Sequence, residues 1–212
     1  CGYIFKSRSP SCGIERIKVY DAAGRVIAAA GAGIWARMVM DRFPLLPAED
    51  EGRLHDPALR ERFIERVFVY HRWRDTVERD PTPRALIEFH TRHKLLIMSH
   101  SIEHYRELGR MTAGAGEGGM ERLISNYLKM LHAALERKTT VKKNVNVLNH
   151  VMGYFKKQIS SDEKKELMEI IGTYHEGHIP LIAPITLINH YVRKYDQPYL
   201  RMQLYLNPHP VE

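Results

Sequence analysis

Pro81 and Pro83 divide this chain into two stretches that cannot share one architecture. Two prolines so close fix φ twice and remove two backbone donors, so no helix runs through them. Downstream, apolar residues recur every three or four positions in segment after segment, which is the period of amphipathic helices. Upstream, short β-branched and aromatic runs alternate with turn residues. The chain is therefore read as an α/β segment, a connecting helix and an all-α domain of about six helices. The boundaries fall at 1–55, 56–83 and 84–212.

In the first stretch GYIFK is a short strand, and RIKVYD and RVIAAA flank Gly24 as a hairpin. GAGIWARMVMDRF reads as a helix ending before Pro44. Residues 44–57, with three prolines and the acidic run Glu49-Asp50-Glu51, read as a linker or structured loop. Asp56 can cap the helix that follows, with Pro57 in its first turn and Leu59, Phe63, Val67 and Tyr70 on its apolar face. Beyond Pro83, helices are expected at 84–100, 102–111, 121–137, 141–158, 161–177 and 179–195. Ser101 can cap the second, Ser160 and Glu163 form a capping box for the fifth, and Gly177 follows that helix. Residues 112–119 read as a flexible loop and residues 196–212 as an extended, proline-rich tail.

Composition narrows the function. Hydrophobic content of 44% and charged content of 27% are ordinary for a globular protein. No apolar run approaches the length of a membrane span. Two cysteines, Cys1 and Cys12, do not make a disulfide framework, so a reducing, cytoplasmic setting is expected. A net charge of +7 and a pI near 9.4 lean towards a polyanionic partner.

Four groups of residues carry candidate chemistry. In SPSCG, Pro10 constrains the turn, Gly13 permits close approach of a bulky ligand, and Ser9 and Ser11 place hydroxyls beside Cys12. Lys6 and Arg8 favour a thiolate, the form that binds metal or attacks. The turn reads either as such a site or as a buried, inert cysteine. His90, His93, His100 and His104 fall on one face of a continuous helix and admit a metal site, although the Ser-His-Ser break favours core or interface histidines. Arg137, Lys138, Lys142, Lys143, Lys156 and Lys157 stand in a segment without an acidic residue, which reads either as a basic surface helix or, with Arg92 and Lys94, as contacts to RNA phosphates. Tyr154 and Phe155 beside the last lysine pair offer a stacking platform or core aromatics. Helical phase puts Val141, Val145, Leu148, Met152 and Phe155 inside, and Lys142, Asn146, Asn149 and Lys156 on a polar face. The acidic run, finally, is a proton-moving group near a substrate or a solvated loop.

YIFKSRSPSCG resembles the C-terminal cysteine motif of the thiouracil desulfidase (TudS-like) family. LIEFHTRHKLLIMSHS, YRELGR, KKNVNVLNHVMGYFKKQIS and IPLIAPITLINHYVRKYDQPYL resemble the YbgA-like helical domain. The first resemblance covers about residues 1–45 and the second most of 84–208. Together they imply an incomplete desulfidase domain, an α/β remnant, followed by the helical domain. They imply an enzyme that converts 4-thiouridine in tRNA to uridine with release of sulfide. The family holds a 4Fe-4S cluster by three cysteines and leaves one iron open as a Lewis acid. Cys12 matches the last ligand, and Ser9, Ser11 and Lys6 match the catalytic motif around it.

Cys1 does not match either of the other ligand positions, so those ligands are expected upstream of Cys1, and the 212 residues alone are expected to be inactive. The helical domain would grip tRNA. The alternatives are a non-catalytic RNA-binding or protein-interaction adaptor and a histidine-metal enzyme. The sequence leaves the oligomeric state open.

Overall fold

The computed structural model describes residues 1–116 and 118–208. The chain forms two compact units, Cys1–Glu78 and Arg79–Glu212. In the first, β1 (Tyr3–Phe5) pairs in parallel with β4 (Ala48–Asp50), with Tyr3 opposite Ala48 and Phe5 opposite Asp50. Tyr3 N donates to Pro47 O, and Glu51 N to Phe5 O, at the two ends of the ladder. Phe5 is the buried side chain of β1, while Ile4 points to solvent. Residues 44–57 are thus no plain linker: they contain a strand and a single 3₁₀ turn, Arg53–His55.

The antiparallel hairpin of β2 (Ile17–Tyr20) and β3 (Val26–Gly31) forms as expected. Asp21 Oδ1 accepts the amides of Ala23 and Arg25, and Gly24 takes the φ of +77° that closes the turn. α1 (Ile34–Arg42) starts three residues later than the sequence suggests, because Gly31 still belongs to β3.

α2 (Pro57–Trp73) is capped by Asp56, whose carboxylate accepts from Ala58 N and Leu59 N. Its buried positions are Phe63, Val69 and Trp73, so the expected face is corrected at Leu59, Val67 and Tyr70, which are only half-buried. Five residues of π-helix, Arg74–Glu78, follow it and carry the buried Val77.

The second unit is all helical: α3 (Pro83–His100), α4 (Ile102–Ala113), α5 (Met120–Glu136), α6 (Val141–Met152), α7 (Ser161–His175), α8 (Ile182–Lys194) and the short α9 (Pro198–Arg201). α3 is the axis of the unit and packs on α4, α5 and α6, while α6 packs on α7 and α8. Eleven of its eighteen residues are buried, so polar side chains on α3 have to find partners inside the protein. Among the described residues no helix is long and apolar enough to cross a membrane.

Local chemistry sets the helix ends. Ser101 accepts from His104 N. The capping box at α7 is complete, with Ser160 Oγ accepting from Glu163 N and Glu163 Oε2 accepting from Ser160 N. Glu163 also receives Lys194 Nζ at 2.7 Å and the Tyr195 hydroxyl, tying α7 to the end of α8. Lys194, then Tyr195 and Ser160, hold the Glu163 carboxyl down to about 2. Ser160→Ala is expected to remove about 1 kcal/mol, read as a lower midpoint in thermal unfolding. An unchanged midpoint would show that Lys194 and Tyr195 fix this end without the cap.

Two sequence expectations are corrected in this unit. The buried stripe of α6 is Asn144, Val147, Leu148 and Val151, continued by Phe155, while Val141 is exposed and Val145 and Met152 are half-buried. Asn144 is inside because its amide donates to the Tyr174 hydroxyl and its oxygen accepts from the Tyr205 hydroxyl. The segment after α8 is not an extended tail. Gln203, Leu204, Tyr205 and Leu206 are buried, and Leu204 N and Gln203 Nε2 bond the carbonyls of Arg92 and Thr91 on α3. Residues 209–212, like Glu117 in the 112–119 loop, lie outside the described residues.

Candidate functional site

β1 and β4 run parallel, so their carboxyl ends meet at one edge. Ligands of parallel α/β sheets gather at that edge, and the residues singled out in the sequence converge there. From β1 the chain enters Lys6 and Ser7 and then the SPSCG turn. Gly13 N donates to Ser9 O at 2.9 Å, and Cys12 N donates to Ser9 Oγ at 3.3 Å. The Ser9 and Ser11 hydroxyls are 3.3 Å apart, and Ser11 Oγ lies 3.4 Å from Cys12 Sγ. Cys12 is half-buried and Cys1 is exposed.

The turn is held from below by α1. Gly33 N donates to Gly13 O at 2.8 Å, and Ala36 N donates to Ser11 O at 3.2 Å. The backbones are so close that a Cβ on Gly33 would sit 2.2 Å from Ser11 O. Gly13 also makes room for a neighbour in the chain. A Cβ there would meet Ile17 Cδ1 at 2.3 Å and Ser9 O at 3.0 Å, so its missing side chain accommodates the start of β2.

From β4 come the carboxylates. Asp50 is buried and its Oδ1 accepts from Gly52 N. Glu51 Oε1 receives Lys6 Nζ at 2.9 Å and Ser7 N at 3.3 Å. The hydrogen bond and charge of Glu51 raise the Lys6 pKa. Lys6 therefore stands on Glu51. The acidic run is a strand end beside the cysteine turn, which charge alone could not reveal.

A cleft of about 780 Å³ is lined among others by Ser7, Arg8, Pro10, Arg16, Lys18 and Asp50, while Cys12, Lys6 and Glu51 are not among its lining residues. Arg53 on its rim is held by Glu49 and Glu15. Arg8, Arg16 and Lys18 form no ion pair among the described residues. The volume falls in the range of small-ligand sites. Sequence reading picked out neither Arg16 nor Lys18, because the hairpin that brings them to the cleft is not a chemical motif.

His90, His93 and His100 are buried and His104 is half-buried. His90 Nδ1 lies 2.8 Å from the Tyr127 hydroxyl, His93 Nδ1 donates to Phe89 O, His100 Nδ1 donates to Arg137 O, and His104 Nδ1 meets Ser101 Oγ. Among the described residues no three His, Cys, Asp or Glu side chains form a metal-binding group.

The basic residues of the helical unit divide by environment. Arg137, Lys138, Lys142, Lys156 and Lys157 are exposed, and none is paired with a carboxylate among the described residues. Lys143 instead donates to the carbonyls of His100 and Lys138, closing the end of α3. Arg92 is half-buried beside the returning C-terminal segment. Lys94 Nζ lies 4.8 Å from the centre of the Tyr199 ring, a partner no sequence signal indicated.

A cysteine turn at a parallel strand edge and an all-helical unit are the two parts of this chain, and comparison with known proteins finds a match for each. Residues 1–51 match the family described as 2-thiouracil desulfurase. Residues 94–210 match the family described as "Protein of unknown function (DUF1722)". The "Uncharacterized protein YbgA" of Escherichia coli (strain K12) is 32% identical over 146 residues, covering 68% of this chain and 86% of that protein. No solved structure matches. The chain belongs to the DUF1722 family, and a desulfurase-like segment precedes its YbgA-like helical region.

Proposed function

We propose that this chain is part of a desulfidase that removes sulfur from 4-thiouridine in tRNA, with the helical unit binding the RNA. The observation that carries the reading is the position of Cys12. Its turn follows β1 at the carboxyl edge of two parallel strands, where Pro10 of the turn and buried Asp50 line one cleft and Lys6 pairs with Glu51. The match of residues 1–51 to 2-thiouracil desulfurases supports it.

The resemblance implies a 4Fe-4S cluster, which supplies Lewis-acid chemistry when bound. The described residues hold two free cysteines, of which only Cys12 stands in the turn, and no group of three ligands, so they do not complete such a site. What the chain's own residues contribute is local. Ser9 and Ser11 fix the Cys12 turn, and Glu51 with Lys6 provides a carboxylate and an ammonium able to hold a proton or order water nearby. The exposed cations Lys142, Lys156 and Lys157 supply phosphate contacts.

The donor count favours a second reading, a non-catalytic RNA-binding or protein-interaction adaptor in which Cys12 is an ordinary turn residue. One experiment separates them. The full-length protein, prepared without oxygen, is assayed for iron and then for sulfide release from tRNA carrying 4-thiouridine. The desulfidase reading expects bound iron and released sulfide, both falling to background in Cys12→Ala. Colourless protein that binds the tRNA and releases nothing establishes the adaptor.

A further inference from the structure

One cluster of the helical unit has no part in the site at the cysteine turn. It is drawn from three places in the chain: Lys94 on α3, His150 at the end of α6 with Tyr154 in the 3₁₀ turn Gly153–Phe155 that follows it, and Tyr199 on α9. The Tyr154 and Tyr199 rings stack with centroids 4.8 Å apart and planes 19° apart. His150, one turn before Tyr154, meets its ring edge-to-face at 5.6 Å. Lys94 Nζ stands 4.8 Å from the Tyr199 centroid.

This is not the packing of the core. Phe155, the next residue, is fully buried and fills the interior at this turn. Tyr154, Tyr199 and Lys94 are half-buried, and His150 is exposed. Lys94 has no carboxylate partner among the described residues, so its charge is offset only by the π face of Tyr199. Lys156 and Lys157, exposed and without ion pairs among the described residues, stand two and three residues after Tyr154. A preformed row of aromatic rings beside uncompensated cations is what a strand of unpaired nucleotides requires, because every base has a π face and every link a phosphate.

We propose that the His150–Tyr154–Tyr199 row with Lys94 is a stacking subsite for an unpaired base of RNA. The base lies against the solvent end of the row, and Lys156 and Lys157 meet the adjoining phosphates. The proposal rests on the RNA-binding reading above and says where on the helical unit that contact falls. Stacking gives affinity without sequence preference, so the subsite reads an unpaired loop and leaves base identity to the cysteine turn.

The test is the binding of a fluorescently labelled uridine decanucleotide to the full-length protein across a salt series. Tyr154→Leu keeps bulk and removes the ring, and Tyr154→Phe restores the ring. The Leu variant is expected to bind about ten- to a hundredfold more weakly, with the Phe variant near wild type. The slope of log affinity against log salt stays unchanged in Tyr154→Leu, because no phosphate contact is lost. In Lys156→Glu with Lys157→Glu the slope becomes shallower by roughly one. An abasic decanucleotide binds wild type and Tyr154→Leu alike.

Equal binding of the uridine strand by wild type and Tyr154→Leu overturns the subsite and leaves the RNA reading standing. So does a loss in Tyr154→Leu that the Phe variant fails to restore, since that marks a packing defect. Wild-type protein that binds no RNA overturns both. A stacking effect in protein that releases no sulfide leaves the subsite and removes the desulfidase.

Discussion

Replacing Gly33 with alanine is expected to cost about 3 kcal/mol where α1 meets the cysteine turn. The backbone angles of Gly33 are φ −62° and ψ 151°, which any residue adopts, so conformational preference is not the cause. The cause is contact. An added methyl would lie 2.2 Å from Ser11 O, 2.3 Å from Ser11 C and 2.8 Å from Cys12 N. All three are backbone atoms, so no rotamer change relieves them. Either α1 moves away and loses the bonds from Gly33 N to Gly13 O and from Ala36 N to Ser11 O, or the turn itself is displaced. Amide hydrogen exchange reads the outcome. Exchange at Ala36 and Gly13 should quicken by about two decades, while amides of α3 in the helical unit stay protected. Wild-type protection at Ala36 in the alanine variant would show that the turn yields without cost, and the rigid seat of Cys12 would have to be abandoned.

Acidification from pH 6.5 to about 4 is expected to remove about 3 kcal/mol from the helical unit through His90 alone. His90 is 8% exposed and its Nδ1 faces the Tyr127 hydroxyl. Burial, and after it the charge of Lys94, lowers its pKa to about 4. Complete burial pushes the Tyr127 phenol far up, so it stays protonated and donates to a neutral imidazole. An unfolded histidine titrates near 6.5. Between these values the unfolded chain binds a proton that the folded chain excludes. The stability is therefore whole above pH 6.5 and declines as pH falls towards 4. Urea unfolding of wild type and His90→Gln at pH 7, 5.5 and 4.5 isolates the effect, because the carboxylates titrate in both. The wild-type curve should fall more steeply, and parallel curves would dismiss His90 as the acid-sensitive group.

What the sequence made legible was what neighbours in the chain decide. Asp56, Ser101 and the Ser160–Glu163 box cap their helices within a few residues. The Asp21–Gly24 turn closes its own hairpin. Phe155 was read as core from helical phase, and it is. What stayed hidden depends on distant partners. β4 reads Ala-Glu-Asp, a poor strand by composition, and exists because β1 offers it an edge. The buried face of α6 was misjudged because Asn144 enters the core on hydroxyls from α7 and the C-terminal segment, and apolar spacing does not register a satisfied amide.

The site divides in the same way. The SPSCG turn is a local object, and Pro10, Gly13 and the two serines announced it. Its surroundings are not local. Glu51 meets Lys6 only because parallel pairing puts their strand ends side by side. Lys94 meets Tyr199 only because the end of the chain folds back onto α3. The basic residues were readable as charges, yet Lys143 turned out to serve the end of α3 with its ammonium.

That return of the C-terminal segment has a bearing on biosynthesis. Gln203 and Leu204 bond carbonyls of α3 across more than half the chain, and Leu200, Tyr205 and Leu206 are buried with them. While the ribosome still holds these residues, α3 can form but its flank stays bare. The helical unit can complete itself only after Leu206 has been made and has left the ribosome, in a closing step of long loop and high contact order. A nascent chain stalled shortly before Leu200 would carry an exposed apolar seam and be a natural client for chaperones.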